Sequence, residues 1–409
     1  MKLNFASLTM TVVLVILAFP LFGGNSIFSF HGTPWQYYGN DIYGLSMGDV
    51  GASDIFRKNT GYGNPAIMGA SNRTLLSTGM IFGWTGYKSD LETERTFRDN
   101  SLDFPFFSVS FPINNHHFGF QFNSWASGVV QNEFTVMMDT LEVTEKQSID
   151  RYIYRADLLY AIHYRNFNLG VGANYYLGHD IRKFYQDGGF GIFNTSEKLE
   201  RNYKNPSATL GLTAAYENLA VGIVYSHEAD LKGELVRYSI HETENLGKVH
   251  YSIPSQITTG VTWKYKEEYK VSTDYTLSLW KNAKYSEYDD NAWKLGVGMA
   301  HEPRPGTRNT FMGQMPKRIG FSYRVLPFRV KGNTVTETAL SGGLSLPIKN
   351  TENRIDLGLQ YLWRGNVDDH GLQDRSLMFM FGVTGFDVLS KAFSRSAPRD
   401  IPKVEDIGR

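Results

Sequence analysis

Arg155 and Asp157, Asp274, Arg318 and Arg324, and Arg354, Asp356 and Arg364 are the residues of this chain whose types and spacing can carry chemistry. Within each group the positions differ by even numbers, so an extended backbone puts the members on one face. An arginine on such a face can grip a carboxylate head group through two parallel N–H···O bonds. Its commoner use is a buried ion pair tying one part of the structure to another. Met378 and Met380 repeat the two-residue spacing with soft apolar side chains, between Leu377, Phe379 and Phe381. His116 and His117 stand in a turn with no partner at metal-ligand spacing. Neither a Ser/His/Asp grouping, a phosphate loop nor a paired-carboxylate motif accompanies these residues. The expected protein is therefore not an enzyme and needs no cofactor. Its 41 basic and 41 acidic side chains cancel, so nothing suggests a nucleic-acid surface.

Extended segments with two unlike faces must position these groups. In Arg354–Arg364 and in Lys270–Trp280 almost every second side chain is apolar and the intervening set is polar or charged; Phe118–Asn123 and Ile319–Arg324 repeat the pattern. Strands are expected near Thr74–Tyr87, Asp103–Ile113, His117–Val129, Tyr152–Tyr164, Leu169–Gly178, Ser207–Tyr216, Leu219–Ser226, Gln256–Tyr265, Lys270–Trp280, Ala292–His301, Lys317–Arg329, Thr336–Pro347, Arg354–Trp363 and Ser376–Val388. That is about fourteen, an even number as in bacterial outer-membrane barrels. Short polar turns such as Asn114–His116, Arg165–Asn168 and Glu217–Asn218 alternate with long charged links such as Val130–Arg151, His179–Pro206 and His227–Ser255. Glu302–Pro316 breaks that rule. Short turns at one rim and long loops at the other is the membrane-barrel arrangement, the short ones periplasmic. Charge facing lipid costs a few kcal/mol near the midplane, so Arg155, Asp157, Asp274, Arg318, Arg324, Arg354, Asp356 and Arg364 are assigned to the lumen. Tyr164, Tyr216, Trp263, Tyr265 and Tyr269 at the short turns, and Tyr87, Trp280, Tyr361 and Trp363 at the opposite ends, suit aromatic belts.

Organisation follows. Residues 1–24 read as a signal peptide, with Lys2 ahead of an apolar run to Phe22. Residues 25–72 are Gly-rich and aromatic-rich without a sustained period, too apolar for a disordered tail, and must be packed somewhere. Residues 73–393 form the barrel, and 394–409 a polar tail. The absence of cysteine excludes disulfides and thiolate metal sites. Fourteen strands about 4.8 Å apart, tilted roughly 40°, enclose a lumen with a backbone diameter near 28 Å, too wide for wall side chains to fill. Water or protein must fill it, and the segment before the first strand has the size of a plug.

Tyr43-Gly44-Leu45-Ser46-Met47-Gly48 with Asn64-Pro65-Ala66 ahead of the first strand, Ile253-Pro254-Ser255-Gln256 opening a strand, and Asp274-Tyr275 through Trp280 in the next resemble the FadL-type outer-membrane transporters of long-chain fatty acids and other hydrophobic compounds. The resemblance is one of pattern and spans nearly the whole mature chain. It implies a fourteen-stranded all-β transmembrane barrel, an N-terminal hatch with Gly44, Gly48, Asn64, Pro65 and Ala66 at its gate, ligand capture near the outer rim, and lateral exit through a break in the wall. It also implies a hydrophobic small-molecule ligand, contact with outer-membrane lipid, and a monomer. No residue matches the family's high-affinity ligand pocket, so a substrate does not carry over. Related barrels serve secreted proteins, which leaves a second expectation: an interaction barrel whose long loops dock a protein partner. A sandwich of sheets in solution is the third.

Overall fold

A computed structural model describes residues 26–386 apart from 31–32, 34, 37–39, 58–59, 61–62, 91–96, 139–140, 190–193, 304–310 and 349–352. The expected signal peptide and polar tail lie outside the described residues.

Fourteen strands close on themselves, each antiparallel to its neighbours. In chain order they are β1 (Leu75–Ser89), β2 (Phe97–Ile113), β3 (His116–Met138), β4 (Leu141–Tyr164), β5 (Phe167–Asp187), β6 (Thr195–Tyr216), β7 (Leu219–Ser226 continued by Ala229–Tyr238), β8 (Thr243–Ile253 continued by Gln256–Tyr265), β9 (Tyr269–Ser278), β10 (Ala292–His301), β11 (Lys317–Val330), β12 (Asn333–Pro347), β13 (Arg354–Asn366) and β14 (Leu372–Phe386). The two parts of β7 and of β8 are one strand each, because both parts pair with the same neighbours across a short interruption. Pairing of β14 with β1, from Leu372↔Ser89 to Phe386↔Leu75, completes the circle. A closed ladder leaves no unpaired edge in hydrocarbon.

The sequence alternation reappears as burial. Along β5, Phe167, Leu169, Val171, Tyr175 and Leu177 are exposed, and Asn168, Asn174 and Tyr176 between them are buried. Asp274 and Ser272 on β9, Lys294 on β10 and Asp157 on β4 are buried, whereas Leu158 is 66% exposed. Polar inside and apolar outside is the reverse of a water-soluble core and the pattern of a wall against lipid.

Three of the expected long links, Val130–Arg151, His179–Pro206 and His227–Ser255, are largely strand among the described residues, whereas Lys281–Asn291 is not. β3 to β6 run 23, 24, 21 and 22 residues, where ~10 tilted residues cross a bilayer. Their outer halves stand beyond the apolar band as an extended sheet that also takes in β7 and β8. Its outer face meets polar surroundings and its inner face is only partly buried, at residues such as Val143, Ile149, Tyr203 and Leu231, so alternation fades and the sequence reads as charged loop.

Two belt expectations are corrected. Trp280 and Tyr87 are 1% and 6% exposed; Trp280 turns into the lumen from the 3-10 turn that follows β9. Tyr164, Tyr216, Trp263, Tyr265, Tyr269 and Tyr361 do face outward.

Candidate functional site

The N-terminal segment lies against the buried side of the wall, and small residues there make the room. Inward positions of β10 are Ala292, Lys294, Gly296, Gly298 and Ala300. Any Cβ at Gly296 would stand 2.5 Å from the carbonyl oxygen of Gly48, and one at Gly298 would stand 2.5 Å from Met47 Cγ. Gly320 on β11 faces Gly48 in the same way, Gly170 and Gly211 face Ala66 and Asn64, and Gly222 faces Ala52. The wall is thus carved to backbone thickness along the path of residues 46–66.

Local chemistry shapes the segment. Asp41 caps the helical turn Ile42–Leu45 by accepting from the Gly44 N–H at 2.9 Å. Gly48 takes φ +81°, where a side chain is strained, and its N–H donates to Ser341 Oγ at 3.0 Å. Asn64 accepts from the Ala66 N–H at 3.0 Å and donates to the Ala52 carbonyl at 2.7 Å, while Pro65 opens the 3-10 turn Pro65–Ala70. All five proposed hatch residues therefore hold local geometry at the wall contact.

Charge then fastens it. Asp274 accepts from the N–H groups of Gly51 and Ala52 at 2.7 and 2.8 Å. Lys294 is ion-paired with Asp49 and also donates to its carbonyl at 2.8 Å. Arg318 donates to Ser46 Oγ at 2.6 Å and reaches Asp356 at 3.3 Å. Arg354 pairs with Asp356 at 3.1 Å. The Tyr43 ring has the cations of Arg57, Arg318, Lys270 and Arg354 at 4.1, 4.3, 4.9 and 5.5 Å from its centroid, a cation–π arrangement strengthened by burial. Four carboxylates balance them: Arg57 with Asp41 and Asp54, Lys270 with Asp54 at 2.8 Å and Glu302 at 3.1 Å, and Asp356. Burial by itself raises the Asp41 carboxyl, and the Arg57 guanidinium outweighs it and holds the group below the ordinary carboxylate range. Burial likewise opposes ionisation of Glu302, yet Lys270 and the Tyr43 hydroxyl, which donates to it at 2.5 Å, bring it down to about 2.

Above this layer, rings fill the lumen. Tyr176, Trp125, Trp280, Tyr288, Phe328 and Phe28 touch in succession with centroids 6.3, 6.3, 4.9, 6.3 and 6.1 Å apart, and Tyr203, Leu231, Ile253, Leu326 and Val335 close around them. Met378 and Met380 pack with Ile42, Leu45 and Leu362. Two cavities beside these layers, among the described residues, have volumes of about 30 Å³ and about 40 Å³, room for a few waters each. The first is lined by Arg155, Asp157 and Gln121, and the second by Arg324, Glu337 and Arg364. Arg155 pairs with Asp157 at 2.9 Å, and Arg324 with Glu337 at 3.2 Å. Every sequence-selected arginine is thus paired with an acid, Arg318 and Arg354 sharing Asp356, and Arg324 and Arg364 sharing Glu337.

The residues that sequence reasoning passed over are Asp41, Asp49, Asp54, Arg57, Lys270, Lys294, Glu302 and Glu337, and Tyr43 was marked only as part of a motif. Applying the two-residue alternation to Lys270, Lys294 and Glu337 was enough to place those three inward. Partners of the N-terminal acids have no local signature.

Among the described residues the ladder between β2 and β3 stops short. β2 and β3 pair from Ile113↔His116 to Phe106↔Asn123 and no further, although both strands continue. Pro105 has no N–H to give at that point, and β3 bulges at Trp125. Trp35 and Gln36 pair there instead with Ser127 and Ala126.

Solved structures share this architecture. A Pseudomonas aeruginosa FadL homologue superposes with TM-score 0.59 at 13% identity, covering 86% of this chain and 99% of its own. The CymD monoaromatic hydrocarbon channel gives 0.56 at 15%, covering 85% and 97%, and the Ralstonia pickettii toluene transporter TbuX 0.53 at 14%, covering 85% and 98%. At such identities the likeness is one of fold, that of hydrophobic-compound channels. No curated protein matches the chain. The family described as BamG matches residues 3–384, through the N-terminal segment and nearly all of the described wall, and this chain is a member of the BamG family.

Proposed function

We propose that the protein is an outer-membrane barrel with a lumen plugged by its own N-terminal segment, and that it works by docking a protein partner on the tall sheet of β3 to β8. The observation that supports this reading is the packing among the described residues inside the wall: a ring-to-ring aromatic layer above and a segment seated on glycines below, with narrow cavities beside them. Neither of the two cavities described beside the segment offers a small-molecule ligand more than a narrow space. Outside, strands twice the length a bilayer needs rise on one side of the wall only. Protein-sized surface is what that extra backbone supplies. The test is purification in mild detergent from cells that make the protein naturally, beside a variant in which β3 to β8 are shortened to the rim. A stoichiometric protein partner with the full chain, lost with the shortened one, is expected. A full-length barrel that purifies alone, with a small hydrophobic molecule inside, would overturn the reading.

The second reading is passage of a hydrophobic or amphipathic small molecule. The unpaired stretch between β2 and β3 favours it, since a break in the wall is where a greasy passenger would leave into lipid, and so does the shared fold with hydrocarbon channels. Native mass spectrometry of the purified barrel tests it: a retained small molecule is expected on this reading, displaced by bulky substitution at Ser124. Gly44, Gly48, Asn64, Pro65 and Ala66 would then be gate residues, and Arg155, Asp157, Asp274, Arg318, Arg324, Arg354, Asp356, Met378 and Met380 the lining.

A further inference from the structure

An open sheet has two edges, and the sheet formed above the rim by β3 to β8 treats its two edges differently. Among the described residues the outer part of β8 has no ladder partner beyond β7. It carries the protections an exposed edge needs: a bulge between Asn245 and Gly247, Gly247 at φ +104°, and the charges of Glu244 and Lys248. The opposite edge is β3 from Gln131 to Met137, which pairs with β4 in unbroken register and, among the described residues, with nothing on its other side. It has no bulge, proline or glycine, and it is rich in strand formers: Phe134, Thr135 and Val136. Its single charge, Glu133, is taken up by Lys146 at 3.2 Å. Gln131, Glu133, Thr135 and Met137 are exposed. Just below, this same edge already accepts an extended segment: Trp35 and Gln36 pair antiparallel with Ser127 and Ala126.

We propose that Gln131–Met137 is a β-augmentation site, taking an extended, uncharged segment of a second polypeptide, rich in β-branched or aromatic residues, as an added antiparallel strand. Main-chain hydrogen bonds along about 24 Å of edge hold it, and alternate side chains select it. This rests on the protein-docking reading and names its surface. Other occupants fit poorly. The chain beyond Phe386 departs from the short-turn rim, where Phe386 pairs with Leu75, at the far end of the barrel from this edge. Residues 91–96 include Glu92 and Glu94, of the same sign as Glu133 on this edge. A second copy in the same bilayer has its β3 running in the same sense, and strands tilted roughly 40° in facing walls cross instead of laddering.

The experiment places the photoreactive residue p-benzoylphenylalanine at Gln131, Glu133 or Thr135, and at Glu244 or Lys248 on the other edge, in cells that make the protein naturally. Expected are adducts from the β3 positions that map to one short extended segment of one other protein, at least tenfold above those from β8. Thr135→Pro and Val136→Pro form the backbone control. One removes an N–H facing β4 and the other an N–H facing the open side; the second should cut the adduct tenfold with the barrel still heat-modifiable on gels. Adducts within this chain, adducts to a second copy, equal yield from both edges, or no adduct would each overturn the proposal. If a partner still co-purifies when β3 gives no adduct, docking stands and this edge is not its surface; if none co-purifies, the docking reading itself has failed.

Discussion

At the residue scale, the wall glycines decide whether the N-terminal segment can sit where it does. Gly320→Ala puts a methyl group into the backbone of Gly48, whereas Gly342→Ala meets only the Arg318 carbonyl oxygen at 3.5 Å, an ordinary contact. Overpacking costs roughly 1–3 kcal/mol. Gly320→Ala is expected to lower the unfolding midpoint and expose residues 46–66 to protease, and Gly342→Ala to do neither. Lys294→Ala strands the buried Asp49 carboxylate, and breaking such a pair costs about 3–5 kcal/mol; adding Asp49→Asn should recover a good part of it, read by the same unfolding curves. Glu302 gives a pH signature. Its carboxyl is depressed from 4.5 to about 2, so its tie to Lys270 and Tyr43 stabilises fully above the ordinary value and is lost only as pH falls through about 2. Protease access to the segment should stay flat from neutrality to pH 4.5 and rise below it, and Glu302→Gln should remove that rise.

At the element scale, membrane strand and extramembrane strand are one continuous ladder divided only by what surrounds it. Leu158 on β4 lies in the apolar band, and Tyr185 on β5 lies outward but beyond Leu177, where that band stops. Arginine on the lipid face costs about 2–4 kcal/mol near the midplane, and solvated surface changes cost within about 0.5 kcal/mol. Leu158→Arg should therefore reduce folding yield in lipid vesicles severalfold, and Tyr185→Arg should leave it unchanged. Equal losses would move the boundary outward and shrink the extramembrane sheet. The gap between β2 and β3 belongs to this scale too, since Pro105 withholds a donor and the bulge at Trp125 turns β3 aside.

At the scale of the molecule, a barrel about 28 Å across at the backbone holds two kinds of packing inside its wall. Polar backbone contacts and ion pairs hold the N-terminal segment; dispersion between rings holds the upper layer. Removing Tyr43–Ala66 alone should raise conductance in planar bilayers only modestly, because the layer around Trp125 and Trp280 stays. Adding Trp125→Ala and Trp280→Ala should give large, steady ion-conducting steps. Large steps from the deletion alone would show that the aromatic layer does not seal.

The sequence by itself determined the wall: how many strands cross, which side chains face inward, and that Arg155, Arg318, Arg354 and their acids belong there. That much is local, because a strand between lipid and a polar interior must alternate wherever it crosses. It also marked Tyr43–Gly48 and Asn64–Ala66 as special. Only the tertiary structure decided what those residues meet, since Asp49 finds Lys294, Gly51 finds Asp274 and Ser46 finds Arg318 through closure of the barrel, over separations of 245, 223 and 272 residues. It also turned Trp280 from belt to lumen and the charged links into strands. With solvent on one face and only scattered burial on the other, a strand loses most of the asymmetry that writes alternation into sequence, and its pairing is then set largely by its neighbours.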